Sequence, residues 1–167
     1  MDELTRVRLE TNFQNADRLI NQKAYEDSYK ILQSIIREEP TFGKAYNHIA
    51  WYHRWRTKDY TAAEENYKKS IEFSPEYGSA YGNYAALLNL LRRWDDLPAL
   101  VEKGLKVPGV DHGNLFNELG IMFEYQGKFK EAIEQYKRYA LETLESETLE
   151  KIMQSIDRCK KKMELFK

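Results

Sequence analysis

The sequence predicts an all-α fold: four pairs of antiparallel helices stacked as an α-solenoid, closed by one further C-terminal helix. Three observations predict it. Small residues recur as Ala16, Ala50, Ala85 and Gly120, at gaps of 34, 35 and 35 residues. Aromatic residues recur as Tyr25, Tyr60, Trp94 and Phe129, at gaps of 35, 34 and 35. Helical periodicity fills the segments between these columns, and Gly, Pro or Asp cluster at the breaks. Two more columns keep the period: Ser28, Ala63, Leu97, Ala132 and Leu32, Tyr67, Val101, Tyr136. A helix–turn–helix unit of this length cannot bury its apolar face alone, so stacked neighbours must provide the core.

The elements follow in order. Residues 1–22 form the first helix, and Asn12 and Asn15 stand where later units put Tyr46, Tyr81, Phe116 and Ile49, Tyr84, Leu119. A polar face there suits a terminal repeat, while Leu9, Phe13, Ala16, Leu19 and Ile20 still pack on the next helix. That helix runs from Tyr25 to Glu38, carries Ile31, Leu32, Ile35 and Ile36, and stops before Pro40. The second unit spans about Lys44 to Pro75. Ala50 and Tyr60 lie ten residues apart against nine elsewhere, so one extra residue is expected within Trp55–Asp59. His53 occupies the column of Leu88 and Phe123 and reads as a packed, hydrogen-bonded side chain. His48 lies off its face and His112 falls in a loop, so no metal site is expected.

In the third unit Leu97, Pro98 and Gly104 replace the usual residues. Proline is tolerated in a first turn, which starts the helix near Asp95 or Asp96 as an acidic N-cap. Leu97 and Gly120 are 23 residues apart where the counterpart spacings are 22, so the loop 107–113 is one residue longer. The fourth unit pairs helices over 116–126 and 130–142 about Gly127. Ser146 opens the last helix, whose stripe is Leu149, Ile152, Met153, Ile156, Cys159 and Met163. Its basic residues Arg158, Lys160, Lys161 and Lys162 read as solvated charges that offset the helix's negative end. The units fall at about 9–42, 43–77, 78–111 and 113–145, with 146–167 as a capping helix, in a single domain.

The fourth unit carries Phe116, Leu119-Gly120, Phe123, Gly127, Phe129, Ala132, Tyr136 and Tyr139. This resembles a tetratricopeptide repeat (TPR), whose signature is a large apolar residue, Leu-Gly, then aromatic, Ala and aromatic positions at fixed spacings. The resemblance implies a right-handed solenoid whose first helices line a concave wall. Within the family, repeats that clamp a chaperone's C-terminal carboxylate place Lys and Asn on the first repeat and Lys and Arg on the third. Here the matching positions are Phe13, Asp17, Ser79 and Asn83, so chaperone-tail binding is not implied.

Composition narrows the function. Twenty-six basic and 27 acidic residues give a net charge of -1, which favours neither nucleic acid nor anionic membrane. The single cysteine, Cys159, fits a reducing compartment. The first ten residues hold no apolar run, and no stretch is long and apolar enough for a membrane helix. A cytoplasmic protein without a signal peptide is the expectation. No phosphate loop, His-Glu-x-x-His motif or paired cysteines occur, so neither enzyme activity nor a cofactor is expected.

What remains is a surface. On each first helix, positions -3, +1 and +4 from the small residue form a stripe: Phe13, Asp17, Ile20; Asn47, Trp51, Arg54; Gly82, Ala86, Asn89, with Asn83 beside them; Asn117, Ile121, Glu124, then Tyr125. Asn47, Asn83 and Asn117 suit the backbone amides of an extended peptide, and Trp51 is the kind of apolar anchor interfaces use. The basic residues Lys44 and Arg54 are opposed by Asp17, Glu118 and Glu124, which disfavours RNA. The reading is therefore an adaptor that binds a peptide or protein segment. The alternative is a self-associating structural repeat, a homo-oligomer with no groove ligand.

Overall fold

The computed structural model describes residues 2–165, and among these it contains nine α-helices and no strand. They are α1 Glu3–Asn21, α2 Tyr25–Glu38, α3 Gly43–Tyr52, α4 Tyr60–Phe73, α5 Gly78–Leu90, α6 Leu97–Gly104, α7 His112–Tyr125, α8 Phe129–Glu142 and α9 Ser146–Leu165. The chain divides into two compact units, Met1–Asn83 and Tyr84–Lys167, with the dividing point inside α5. Repeat spacing alone points to one continuous domain. It says which helices are neighbours, not how densely each pair packs.

The turn that reverses the chain within each pair sets a left-handed residue at the same point four times. Lys23, Lys58, Arg92 and Gly127 have φ of 62°, 60°, 55° and 73°, and they are spaced 35, 34 and 35 residues apart. After α1, the Ala24 N–H reaches the Leu19 carbonyl and the Lys23 N–H reaches that of Ile20. The same two bonds follow α5 (Arg93 to Leu88, Arg92 to Asn89) and α7 (Lys128 to Phe123, Gly127 to Glu124). This is the Schellman closure, which satisfies the last helical carbonyls and requires a left-handed residue. Only the fourth turn uses glycine for it.

The second turn differs. Its extra residue is taken up in a π-helical turn, His53–Thr57, that continues α3 and ends at the left-handed Lys58. The position is two residues earlier than 55–59. Counting finds a surplus residue, but hydrogen bonds shifted to i→i+5 are placed by the helix end, and no proline or glycine marks it.

Capping follows local chemistry. Asp2, Asp59 and Asp111 accept from the N–H groups of Thr5, Ala62 and Asn114 at 2.8, 3.0 and 2.9 Å. Asp111 thereby starts α7 at His112, which is a first-turn residue and not a loop residue. Asp96 stands at the N-cap of α6 without a capping bond; its carboxylate is engaged by Arg93.

In the N-terminal unit, Leu9, Ala16, Leu32, Ile35, Phe42, Ala45 and Ile49 form one apolar cluster. Two buried tyrosines of one repeat column are made tolerable by loop carbonyls. Tyr46 and Tyr81 each donate to the carbonyl of the proline six residues earlier, Pro40 and Pro75, both at 2.9 Å. A buried phenol needs such a partner. His53 is half-buried between Tyr29 and Tyr52 and bonds Thr57.

In the C-terminal unit, Ala132, Tyr136, Ile152 and Cys159 make the core between α8 and α9, with Ile156 packed against it. The contact seam of α9 is narrower than the predicted stripe. Leu149 is 40% exposed and Met153 is 61% exposed. At 3.6 residues per turn Ile152, Ile156 and Cys159 fall within about 60° of one another, whereas Met153 lies about 90° from their centre.

Candidate interaction site

In the N-terminal unit, α3 and α5 bring three of the expected residues together. The Asn83 side-chain amide donates to the Asn47 Oδ1 at 3.1 Å, so residues of consecutive repeats are tied directly. Asn47 is only 3% exposed. The Trp51 ring is half-buried and lies 5.7 Å from that of Tyr25; the neighbour it packs on is in α2, whereas Tyr52 instead stacks on Tyr29. Trp51, Asn47 and Asn83 line a cavity of about 350 Å³, with Asp17 and Ile20 of α1, His48 of α3, and Tyr77 and Ser79. Asp17 and His48 close one side, their Oδ1 and Nε2 3.1 Å apart.

Arg54 turns elsewhere. It lies in the π-helical turn, donates to the Asn83 carbonyl at 3.4 Å and covers the Trp55 ring at 4.9 Å. It also lies beside the wholly buried Tyr67, whose phenol burial pushes up to about 12 while the Arg54 charge partly offsets the rise. The widened turn redirects the side chain, and the stripe geometry assumed an unbroken α-helix. Lys44 likewise is paired, with Glu10 at 2.9 Å.

In the C-terminal unit, Asn89 is buried and donates to the Glu118 carbonyl and carboxylate at 2.8 and 2.7 Å. Both therefore hold α5 to α7, and Glu118, 7% exposed, is not an open acidic residue. Asn117 is half-buried on α7. Ile121, Glu124 and Tyr125 line a second cavity of about 350 Å³, together with Arg158 and Lys162 of α9. Tyr125 is 60% exposed, stacked on Trp94 at 6.0 Å and covered by the Arg92 guanidinium at 5.2 Å.

Glu124 is the centre of this region. Its Oε1 accepts from Arg158 Nε at 2.7 Å and Lys162 Nζ at 2.8 Å. Its Oε2 accepts from Arg158 Nη2 at 2.7 Å and the Tyr136 hydroxyl at 3.0 Å. Arg158 and Lys162 are thus ion-pair partners and not simple solvated charges. Sequence reading missed them because their acid lies 34 and 38 residues away. The i, i+4 spacing on α9, aimed at the fourth repeat, was the available signal.

Burial would raise the Glu124 pKa, but hydrogen bonds from Arg158, Lys162 and Tyr136 outweigh it and take the carboxyl from 4.5 to about 2. A carboxyl depressed on folding stabilises the fold above its unfolded pKa, and that contribution is lost as pH falls through the folded value. Its cationic partners Arg158 and Lys162 are half-exposed, so solvent screening trims the expected contribution to about 1–2 kcal/mol. Urea titrations at about pH 5 and about pH 2.5 should show this acid-labile increment. Glu124→Gln should lack it; an equal fall in the variant would place the lability in other carboxyls.

No family model matches this sequence, and no curated protein matches it. The fold, however, is similar to that of solved structures. PilF of Pseudomonas aeruginosa superposes with a TM-score of 0.77 at 13% identity, over 95% of this chain and 74% of PilF. TTC0263, a thermophilic TPR protein of Thermus thermophilus, gives 0.72 at 14% identity, over 89% of this chain and 81% of its own. Yeast Tom70 gives 0.77 at 17% identity, over 93% of this chain and 34% of Tom70. This likeness is one of fold: the chain has an all-α, TPR-type repeat fold.

Proposed function

We propose that this protein is an interaction adaptor that holds an extended segment of a protein partner against α3 and α5. The observation that carries the reading is the cavity around Trp51. It combines a large, partly open indole face with the Asn47–Asn83 amide pair. An amide side chain offers two donors and an acceptor with two lone pairs, more than its bond to a neighbouring amide uses. Peptide backbone supplies the complementary groups at regular spacing.

Trp51→Ala should weaken partner binding by about 2 kcal/mol or more, and Asn83→Ala by about 0.5–1.5 kcal/mol. Because Trp51 also packs on Tyr25, each variant needs a melting curve beside its titration. The partner captured from native lysate is the titrant, measured by calorimetry. Lys68→Ala on α4 and Glu134→Ala on α8 should leave the affinity unchanged. Binding lost in these two and kept in Trp51→Ala and Asn83→Ala would move the site to the second helices.

A second reading, self-association, draws on exposed apolar residues of the C-terminal unit, with Leu141 at 86% and Leu144 at 105% exposure. Light scattering on the purified chain separates the two. A monomer at high concentration rejects self-association.

A further inference from the structure

We infer that the cavity of the C-terminal unit is a second docking site, one that takes an acidic segment of a protein partner with an aromatic or aliphatic side chain beside its carboxylates. The inference goes beyond the Trp51 site and does not depend on it. Arg158 and Lys162 face one carboxylate, Glu124, so two positive charges against one negative leave the lining with one excess positive charge. Donors are in excess too, since a guanidinium carries five N–H groups and an ammonium three, while a carboxylate accepts about four bonds. One of those acceptor positions already goes to Tyr136.

The placement of the charges makes the excess available. The Glu124 side chain is 9% exposed, those of Arg158 and Lys162 are 50% and 40%. The acid lies beneath and the cations reach the mouth. Gripped through Nε and Nη2 at once, the guanidinium is held in orientation before any ligand arrives, which removes part of the ordering cost of binding. Tyr125 supplies the apolar component. Its ring packs beside Trp94 and Arg92 and still leaves the residue 60% exposed. A carboxylate between Arg158 and Lys162 with a flat side chain against Tyr125 satisfies both parts. A nucleic-acid strand would call for cations continued along a backbone track, and Glu124 interrupts such a track here.

The test uses a fluorescein-labelled peptide, Gly-Asp-Glu-Phe-Asp-Glu-Gly, and the full chain, read by fluorescence anisotropy at low salt. A matched peptide with Asn and Gln for Asp and Glu should bind about tenfold more weakly or worse. Lys162→Glu should cost at least about tenfold and the milder Lys162→Ala and Tyr125→Ala about three- to fivefold. Lys160→Ala and Lys161→Ala, neighbouring cations outside the lining, should change affinity by less than about twofold, as should Trp51→Ala. Equal binding of the two peptides overturns the inference. So does a loss that follows Lys160 and Lys161, no binding at about 1 mM peptide, or easier displacement by a single-stranded RNA oligomer than by unlabelled acidic peptide.

Discussion

Ile152→Asp is expected to lower stability by about 3–5 kcal/mol, enough to unfold the C-terminal unit if the fold is of ordinary stability. Ile152 is 3% exposed and packs with Ala132, Tyr136 and Cys159. An aspartate there loses the packing and sets an unpaired carboxylate in an apolar seam. Cys159, in the same cluster, shows how unfriendly the seam is to negative charge: burial and the nearby Glu124 push its thiol up to about 11. Met153→Asp, one residue along and 61% exposed, should shift stability by no more than about 0.5 kcal/mol. Urea denaturation of the two variants decides the matter, and equal effects would mean that α9 is not docked through this face. Removing everything from residue 146 onward should be still more damaging, because Glu124 would lose Arg158 and Lys162 while Tyr136 was bared. A truncated chain that stayed monomeric with an unchanged melting temperature would refute the capping role of α9.

Gly120→Ala should cost about 2–3 kcal/mol, although the other three repeats carry alanine in that column. A Cβ at Gly120 would meet Tyr136 Cε1 at 2.5 Å and Cδ1 at 2.7 Å. The ring has little room to yield. Tyr136 is 1% exposed and its hydroxyl is tied to Glu124, so displacing it loosens the clamp on α9 as well. In the second repeat Ala50 and Tyr67 coexist, but 17 residues separate them, against 16 between Gly120 and Tyr136. A thermal melt of Gly120→Ala beside Ala50→Gly compares the two columns. A stabilised Gly120→Ala, as helix propensity alone would give, would show that the ring can move aside.

Local features carried most of the fold. The bounds of α2 follow from the Tyr25 column and Pro40, and the Tyr46, Tyr67, Tyr81, Tyr84 and Tyr136 rings are buried as the repeat columns imply. What escaped sequence reading were contacts between residues distant in the chain or shifts in helical phase. Asn89 meets Glu118 at a separation of 29, and Arg158 meets Glu124 at 34. No periodicity distinguishes those polar residues from solvated ones. Leu149 and Met153 fall on the apolar stripe yet stay exposed, because hydropathy marks a stripe wider than the surface that one neighbouring helix covers. The pattern aligns Arg54 with Asn47 and Trp51 only at 3.6 residues per turn, which fails in 53–57. The Trp51 cavity was partly legible, since Asn47, Trp51 and Asn83 share it; the contributions of His48, Tyr77 and Ser79 were not.

The widened turn at His53–Thr57 also bears on how such an array tolerates a change of length. One residue inserted into a regular helix rotates everything beyond it by about 100°, which would swing the following turn away from its partner. One π-helical turn, His53–Thr57, absorbs the surplus before that rotation is passed on. Lys58 consequently meets the same left-handed geometry as Lys23 and Arg92, and Asp59 still caps α4. The extra residue is thus confined to one coil of backbone, and α4 inherits no error in phase. Length variation in this scaffold need not fall in its loops.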